Sequence, residues 1–158
     1  MAGFRAYLSD RGVTNSNAGS DSTVAAKLLV ASEWLDATYV GLFPGRRTGG
    51  SAQEREWPRI GASDREGYPI ASATVPVQVE YATYEAAHRE LDNEGTLTTD
   101  YTPSKYTEAS VSGAVSVKFN LFPSAREAQV QIQIVNQILS PILCDHGDRG
   151  LSGGACRA

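Results

Sequence analysis

The 158-residue sequence has little of what most enzymes and metal sites require. It contains only two cysteines and two histidines, and no glycine-rich loop is followed by the lysine and hydroxyl of a phosphate-binding Walker loop. The dinucleotide glycine fingerprint and the Gly-x-Ser-x-Gly nucleophile elbow are also missing. We therefore predict a protein that is not an enzyme and that has no cofactor and no bound metal ion.

The few histidines and cysteines are poorly placed for a metal centre. His88 has Asp92 four residues later, a spacing typical of a surface pair on a helix. His146 follows Cys144 closely in a glycine-rich tail, but no paired Cys-x-x-Cys spacing accompanies them. A disulfide between Cys144 and Cys156 is an alternative, although two free thiols are expected in a reducing cytoplasm.

Long apolar runs and an excess of positive charge are absent as well. No apolar run approaches the roughly 18 residues of a membrane helix, so we expect no membrane segment. The start, "MAGFRAYLSDRG", lacks the basic and apolar regions of a secretory signal. A net charge of −4 argues against a dedicated nucleic-acid binder, which usually has a basic face. The length is that of one domain over residues 1–158.

Apolar residues at helical spacing predict three long helices. The first covers about 21–40, with N-cap candidates from Ser20 onward and a stop at Gly41. The second covers about 76–93, and its apolar stripe is predicted to be Val77, Tyr81, Tyr84, His88 and Leu91. The third covers about 125–142, although "VQIQI" within it also has the alternation of a strand.

These elements predict a mainly α fold, a small helical bundle with a minor β element. Alternating residues place the strand near 113–120, and a flexible tail is expected over about 144–158. An extended loop or hairpin, here called the arm (residues 43–75), joins the first two long helices. The side chains expected to be largely buried, in the core or between subunits, are Trp34, Leu35, Tyr81, Tyr84, Ile138 and Leu139.

The arm begins with the stretch least like an ordinary loop, "FPGRRTGGSAQEREWPR". Between residues 46 and 65 it carries five arginines against three acidic residues, a net charge of +2. Arginine and tryptophan are frequent in interface hot spots, so we predict a docking site formed by Arg46, Arg47, Trp57 and Arg59. On this hypothesis the arm does not contribute to the core of the isolated fold. A surface loop with solvated arginines is the alternative.

The runs "ASEWLDATYVGLFPGRRTGG", "WPRIGASDREGYPI" and "VPVQVEYATYEAAHREL" resemble a family of small tailed-phage proteins. Its members are labelled DnaT-like single-stranded-DNA-binding proteins and are grouped with head-to-tail connector, or adaptor, proteins. The resemblance covers roughly residues 31–91. The segment 95–123 matches less clearly.

The resemblance implies two different functions. An adaptor would form a homo-oligomeric ring, expected to be dodecameric, between the portal protein and the stopper or tail proteins. It would line the DNA channel with only transient, non-specific contact to genomic DNA, and would be found in the virion neck and, during assembly, in the host cytoplasm. The DnaT-like label implies binding of single-stranded DNA instead. The acidic balance favours the adaptor, because a basic channel would retain phosphates.

Overall fold

Four helices supply most of the regular structure in this computed structural model, which describes residues 2–13, 19–98, 108–111, 115–118 and 130–144. The helices are α1 (Ala2–Asp10), α2 (Asp21–Tyr39), α3 (Val77–Asp92) and α4 (Gln133–Leu139). Two antiparallel pairs join the strands β1 (Arg46–Arg47) with β2 (Arg59–Ile60), and β3 (Glu108–Val111) with β4 (Val115–Lys118). The predicted mainly α fold with an arm and a minor β element is confirmed.

Local capping sets the limits of α2 close to those predicted. The Ser20 hydroxyl accepts a hydrogen bond from the Thr23 backbone N–H at 3.3 Å, which satisfies one free donor of the first turn. The helix ends at Tyr39, and Gly41 adopts a φ of +80° that a side chain would disfavour. From this defined position α2 packs along α3, which also contacts α1 and α4.

The buried face of α3 differs from the predicted stripe. Val77 and Tyr81 are 47% and 41% exposed, whereas Ala82, Ala86 and Ala87 are completely buried. Small side chains allow neighbouring helices to approach closely, and alanine gives little signal in an apolar pattern. Tyr81 is therefore not part of the core of the single chain, and its burial between subunits stays a prediction. Of the other predicted core residues, Trp34, Leu35 and Leu139 are buried, while Tyr84 and Ile138 are partly buried.

Helix α4 is shorter than predicted within the described residues. It begins at Gln133, and the preceding Ile132 has extended dihedral angles of −99° and 102°. The alternating "VQIQI" therefore enters the helix from an extended segment, as its strand-like pattern allowed. The predicted residues 125–129 lie outside the described part, as do residues 145–158 of the predicted tail.

One hydrophobic core joins the helices and the arm. Its buried members come from all four helices, from the arm, and from Leu97, Ile132 and Ile142 outside these elements. Cys144, which follows this core, is disulfide-bonded, so the expectation of free thiols was wrong for this residue. Its backbone N–H donates to the Leu42 carbonyl at 2.8 Å.

Among the described residues, no helix is long and apolar enough to cross a membrane.

Candidate functional site

The arm folds back onto the helices and contributes to the core. Trp57 is only 5% exposed, and its ring meets that of Phe43 edge to face, with centroids 5.7 Å apart. Ala62 is buried in the same cluster. The expectation that the arm lies outside the core of the isolated fold was therefore wrong. Whether Trp57 also contributes to an interface stays a prediction.

The buried side chain of Arg59 links separate segments of the arm. Its side chain is 7% exposed and donates hydrogen bonds to the carbonyls of Pro44 (2.7 Å) and Gly45 (2.8 Å). The same guanidinium forms an ion pair with the Glu56 carboxylate at 2.5 Å. A planar fork suits this combination of acceptors. One of the four predicted docking residues is thus committed to contacts within its own chain.

Gly45 permits the close approach of the two chain segments that Arg59 links. Its φ is +66°, and a Cβ atom there would lie 2.4 Å from the Ile60 carbonyl oxygen. Any larger residue would separate β1 from β2, where Arg46 faces Ile60 and Arg47 faces Arg59. The glycine of the "PGRR" sequence is therefore required by the packing of the arm.

The remaining arginines of the first part of the arm differ in their partners. Arg47 donates to the Gln53 carbonyl at 2.9 Å, and Arg55 lies 3.3 Å from the Glu33 carboxylate on α2. Arg46 is exposed, and within the described chain its guanidinium has no ion-pair or hydrogen-bond partner. Of these arginines and Arg59, Arg46 is the one whose charge is fully available to another molecule.

A tight turn closes the second half of the arm. One Asp64 carboxylate oxygen accepts from the backbone N–H groups of Glu66 (3.0 Å) and Tyr68 (2.8 Å), and Ser63 bridges Pro69. Gly67 lies within this turn with a φ of +91°. Tyr68 is 66% exposed at the turn, the highest value among the exposed large apolar or aromatic side chains of the described residues.

An apolar pocket of about 310 Å³ lies where the arm meets α2 and α3. Leu28, Leu35 and Val79 are among its apolar lining residues. Asp36 and Trp57 also line it, and in the described part of the chain Asp36 Oδ2 and Trp57 Nε1 are buried without a hydrogen-bond partner.

The Asp36 carboxylate has an unusual environment for an acid. Burial raises its pKa above the ordinary value, although a hydrogen bond from the Glu56 backbone and the Arg55 charge act in the opposite direction. Arg55 Nη1 lies 3.7 Å from Oδ2, which is an ion-pair distance but too long for a hydrogen bond. The pocket therefore has mainly apolar walls, and the two polar atoms without a hydrogen bond are buried beneath them.

A second polar cluster joins α1 to α3 around Glu85, which is 5% exposed. Its carboxylate accepts hydrogen bonds from Tyr7 (2.9 Å), Arg11 (2.5 Å) and Arg89 (2.8 Å). Burial alone would raise the pKa of Glu85, but these donors outweigh it and the pKa is lowered. Burial, with the hydrogen bond to Glu85, raises the pKa of Tyr7 to about 12. These are the properties of a structural network.

The predicted surface pair of His88 and Asp92 is present, with Nδ1 and Oδ2 3.4 Å apart. Among the described residues, no group of three or more histidine, cysteine, aspartate or glutamate side chains is arranged to hold a metal ion. His146 lies outside these residues.

Comparison with known protein families matches residues 1–158 to the family described as "Putative DnaT-like ssDNA binding protein". The chain belongs to this family. Neither the curated proteins nor the solved structures contain a match. Membership of the DnaT-like family fits some contact with DNA, and supports the single-stranded-DNA alternative more than the adaptor.

Several residues of interest gave only weak signals in the sequence. Tyr68 follows Asp64 and Gly67, residue types that favour turns, and a turn tip exposes its side chains, so the sequence contained a signal for its exposure. Asp36 follows Trp34 and Leu35 in an apolar helix, where an acid is unusual. The pocket beside Asp36 depends on how the arm packs against the helices, and no local sequence pattern predicts that packing.

Proposed function

We propose that this protein binds single-stranded DNA without sequence preference, through the outer surface of the arm. The family match over the whole chain, residues 1–158, is the observation that carries this proposal. Proteins of this kind combine positive charge for the backbone with aromatic side chains on which unpaired bases stack. The arm offers one exposed positive charge without a partner and one exposed aromatic side chain.

Arg46 and Tyr68 are the residues assigned to these roles. Arg46 has an exposed guanidinium that no described residue pairs, so it can neutralise a phosphate without breaking an internal contact. Tyr68 is 66% exposed and can present a ring face to a base. Both flank the chain segment 59–64, because Arg46 pairs with Ile60 across β1 and β2 while the Asp64 N–H donates to the Tyr68 carbonyl.

The electrostatics predict weak binding. The chain carries a net charge of −4, and Arg59 and Arg55 are already paired with carboxylates of the same chain. Few phosphates can be neutralised, so we expect a Kd of about 10⁻⁴ to 10⁻⁶ M at physiological salt. Unpaired DNA should bind better than duplex of equal length, because stacking on Tyr68 requires an exposed base face.

The test measures fluorescence anisotropy of a labelled dT oligonucleotide over a range of salt concentrations. Tyr68→Ala should weaken binding by about 1–3 kcal/mol and leave the salt dependence unchanged, because it removes stacking alone. Arg46→Ala should weaken binding and reduce the slope of log K against log salt by about 0.7, the value for one phosphate contact on a single strand. Wild-type affinity in both variants, or equal affinity for duplex, would refute the assignment.

The adaptor remains a second candidate because of an exposed apolar face on the single chain. Val77 and Tyr81, one turn apart on α3, are 47% and 41% exposed, and Val75 just before them is 37% exposed. Such a face suits a protein partner. On this proposal the partners are further copies in a ring, the portal protein, and stopper or tail proteins in a virion neck.

Mass measurement of the purified protein, alone and mixed with its portal, tests the adaptor. A ring or a portal complex that Tyr81→Ser abolishes would support it, and Thr98→Ser, a change at another exposed position, serves as the control. A monomer that stays monomeric with the portal would exclude both assemblies.

A further inference from the structure

A polar pocket of about 400 Å³ lies between α1 and α3, next to the Glu85 network. Its charged and titratable lining residues are Arg11, Glu85, His88, Arg89 and Asp92. We propose that this pocket binds a phosphate group. The inference goes beyond the proposed function, because none of these residues belongs to the arm.

One buried carboxylate holds the two arginines at the pocket. Arg11 Nη1 donates to Glu85 Oε1 at 2.5 Å, and Arg89 Nη1 donates to Glu85 Oε2 at 2.8 Å. Each guanidinium is therefore attached to a different oxygen of the same group. The Tyr7 ring centroid lies 4.8 Å from the guanidinium carbon of Arg11, which orients that side chain further. Because the fold already positions both arginines, a ligand loses little affinity in ordering them.

Most N–H groups of these two arginines are available to a ligand. A guanidinium carries five, and in the described part of the chain only Nη1 of Arg11 and of Arg89 has an acceptor. The two side chains are 43% and 38% exposed, so a ligand can reach the remaining Nε–H and Nη2–H groups. Planar forks of this kind pair with phosphate oxygens. Two forks can use more acceptor oxygens than one carboxylate offers, and a phosphate supplies them.

The charges of the lining predict that binding is weak. Two arginines balance two carboxylates, and His88 adds a positive charge only when it is protonated. Glu85 is 5% exposed and both its oxygens already accept hydrogen bonds, so its charge is shielded from the ligand. The Asp92 side chain is 64% exposed and repels an anion. We therefore expect a Kd on the order of 1 mM for inorganic phosphate.

The first experiment titrates the isotope-labelled protein with sodium phosphate at constant pH and ionic strength, and follows the arginine Nε–H signals by NMR. The signals of Arg11 and Arg89 should shift in a saturable manner. Arg5 on α1 is the matched control, because it is 42% exposed and paired with Asp21 but does not line the pocket. Its signal should not shift. Equal shifts with sodium chloride would indicate screening alone and would refute the site.

The second experiment uses variants that change the affinity in opposite directions. Asp92→Asn removes the exposed negative charge and should tighten phosphate binding about two- to fivefold. Glu80→Gln, at an exposed acid of α3 outside the lining, should leave it unchanged. Arg11→Lys keeps a charge beside Glu85 but loses the fork, so it should weaken binding about tenfold, whereas Arg5→Lys should not. Circular-dichroism melting checks that the variants fold, and the exposed Asp92 position keeps the test valid if Arg11→Lys does not.

Competition determines the source of the phosphate group. The competing ligands are thymidine monophosphate and dT strands with a 5′-phosphate or a 5′-hydroxyl. Displacement by both strands would assign the site to the DNA backbone, displacement by the first strand alone to a strand end, and displacement by the mononucleotide alone to a free nucleotide.

The inference is wrong if phosphate gives no saturable shift at Arg11 and Arg89, or if Asp92→Asn binds phosphate as the wild type does. Arg46→Ala and Tyr68→Ala should leave the phosphate titration unchanged, because neither residue lines the pocket. Failure of DNA binding through the arm and failure of the phosphate site are therefore distinguishable.

Discussion

Replacing the buried Arg59 tests whether arginines of the arm serve the fold or a partner. Arg59→Ala removes four contacts at once: the bonds to the Pro44, Gly45 and Glu56 carbonyls and the ion pair with the Glu56 carboxylate. The acceptors stay where they are, since Pro44 is buried and the Glu56 side chain is only 16% exposed. In the folded arm these acceptors have only limited access to water.

The magnitude follows from the burial of this network. Hydrogen bonds to charged groups contribute about 1.5–3 kcal/mol each, and they are not additive within one network. Removing one partner of a buried ion pair costs about 3–5 kcal/mol, because the other charge is left without compensation. Since Arg59 is 7% exposed, we expect the free energy of unfolding to fall by about 3–5 kcal/mol. For a chain of this length the melting temperature should fall by roughly 10 °C.

The assay is urea and thermal unfolding of three variants under identical conditions. Arg46→Ala is the matched control, because Arg46 lies on the facing strand but is exposed and has no described partner; its stability should stay within about 0.5 kcal/mol of the wild type. Arg59→Lys keeps the charge but loses the planar fork, so it should lie between the two.

A melt of Arg59→Ala within about 1 kcal/mol of the control would refute this reasoning. Arg59 would then be solvated in the free protein, and the predicted docking role of Arg59 would gain support. A large loss of stability in Arg46→Ala would equally contradict the division between the two arginines.

Three further predictions concern the arm and the helix network. Trp57→Ala should destabilise the isolated chain by about 3–5 kcal/mol through loss of core packing, as measured by urea unfolding; a normal melt would return Trp57 to a purely intermolecular role. Gly45→Ala should cost more than the about 1–3 kcal/mol of its positive φ, because Cβ meets the Ile60 carbonyl, and circular-dichroism melting measures this loss. Glu85 has a lowered folded pKa, so its carboxylate stabilises the fold above the ordinary value of 4.5, and this contribution disappears as the pH falls through the folded pKa. Glu85→Gln should therefore melt below the wild type at pH near 7 and approach it in acid; a constant difference across the titration would contradict the assigned network.

Sequence patterns predicted those features that depend on neighbours along the chain. Ser20 and Gly41 limit α2 because a cap and a positive φ are local requirements. The buried face of α3 was missed because Ala82 and Ala86 carry no strong apolar signal, while the exposed Tyr81 does. Burial of Arg59 was missed for a similar reason, since its acceptors lie about 15 residues earlier, at Pro44 and Gly45. Long-range packing determines the buried face of α3 and the burial of Arg59.

The contacts of Arg59 and Trp57 inside the arm also determine how a partner would encounter the arm. Because Arg59 and Trp57 are held by contacts within the chain, the arm has its shape before any association. Association with a rigid surface loses less conformational entropy than the ordering of a loose loop. A strand or a protein that meets this arm should therefore bind to a surface already formed, and differences between partners should be found mainly in how long they stay.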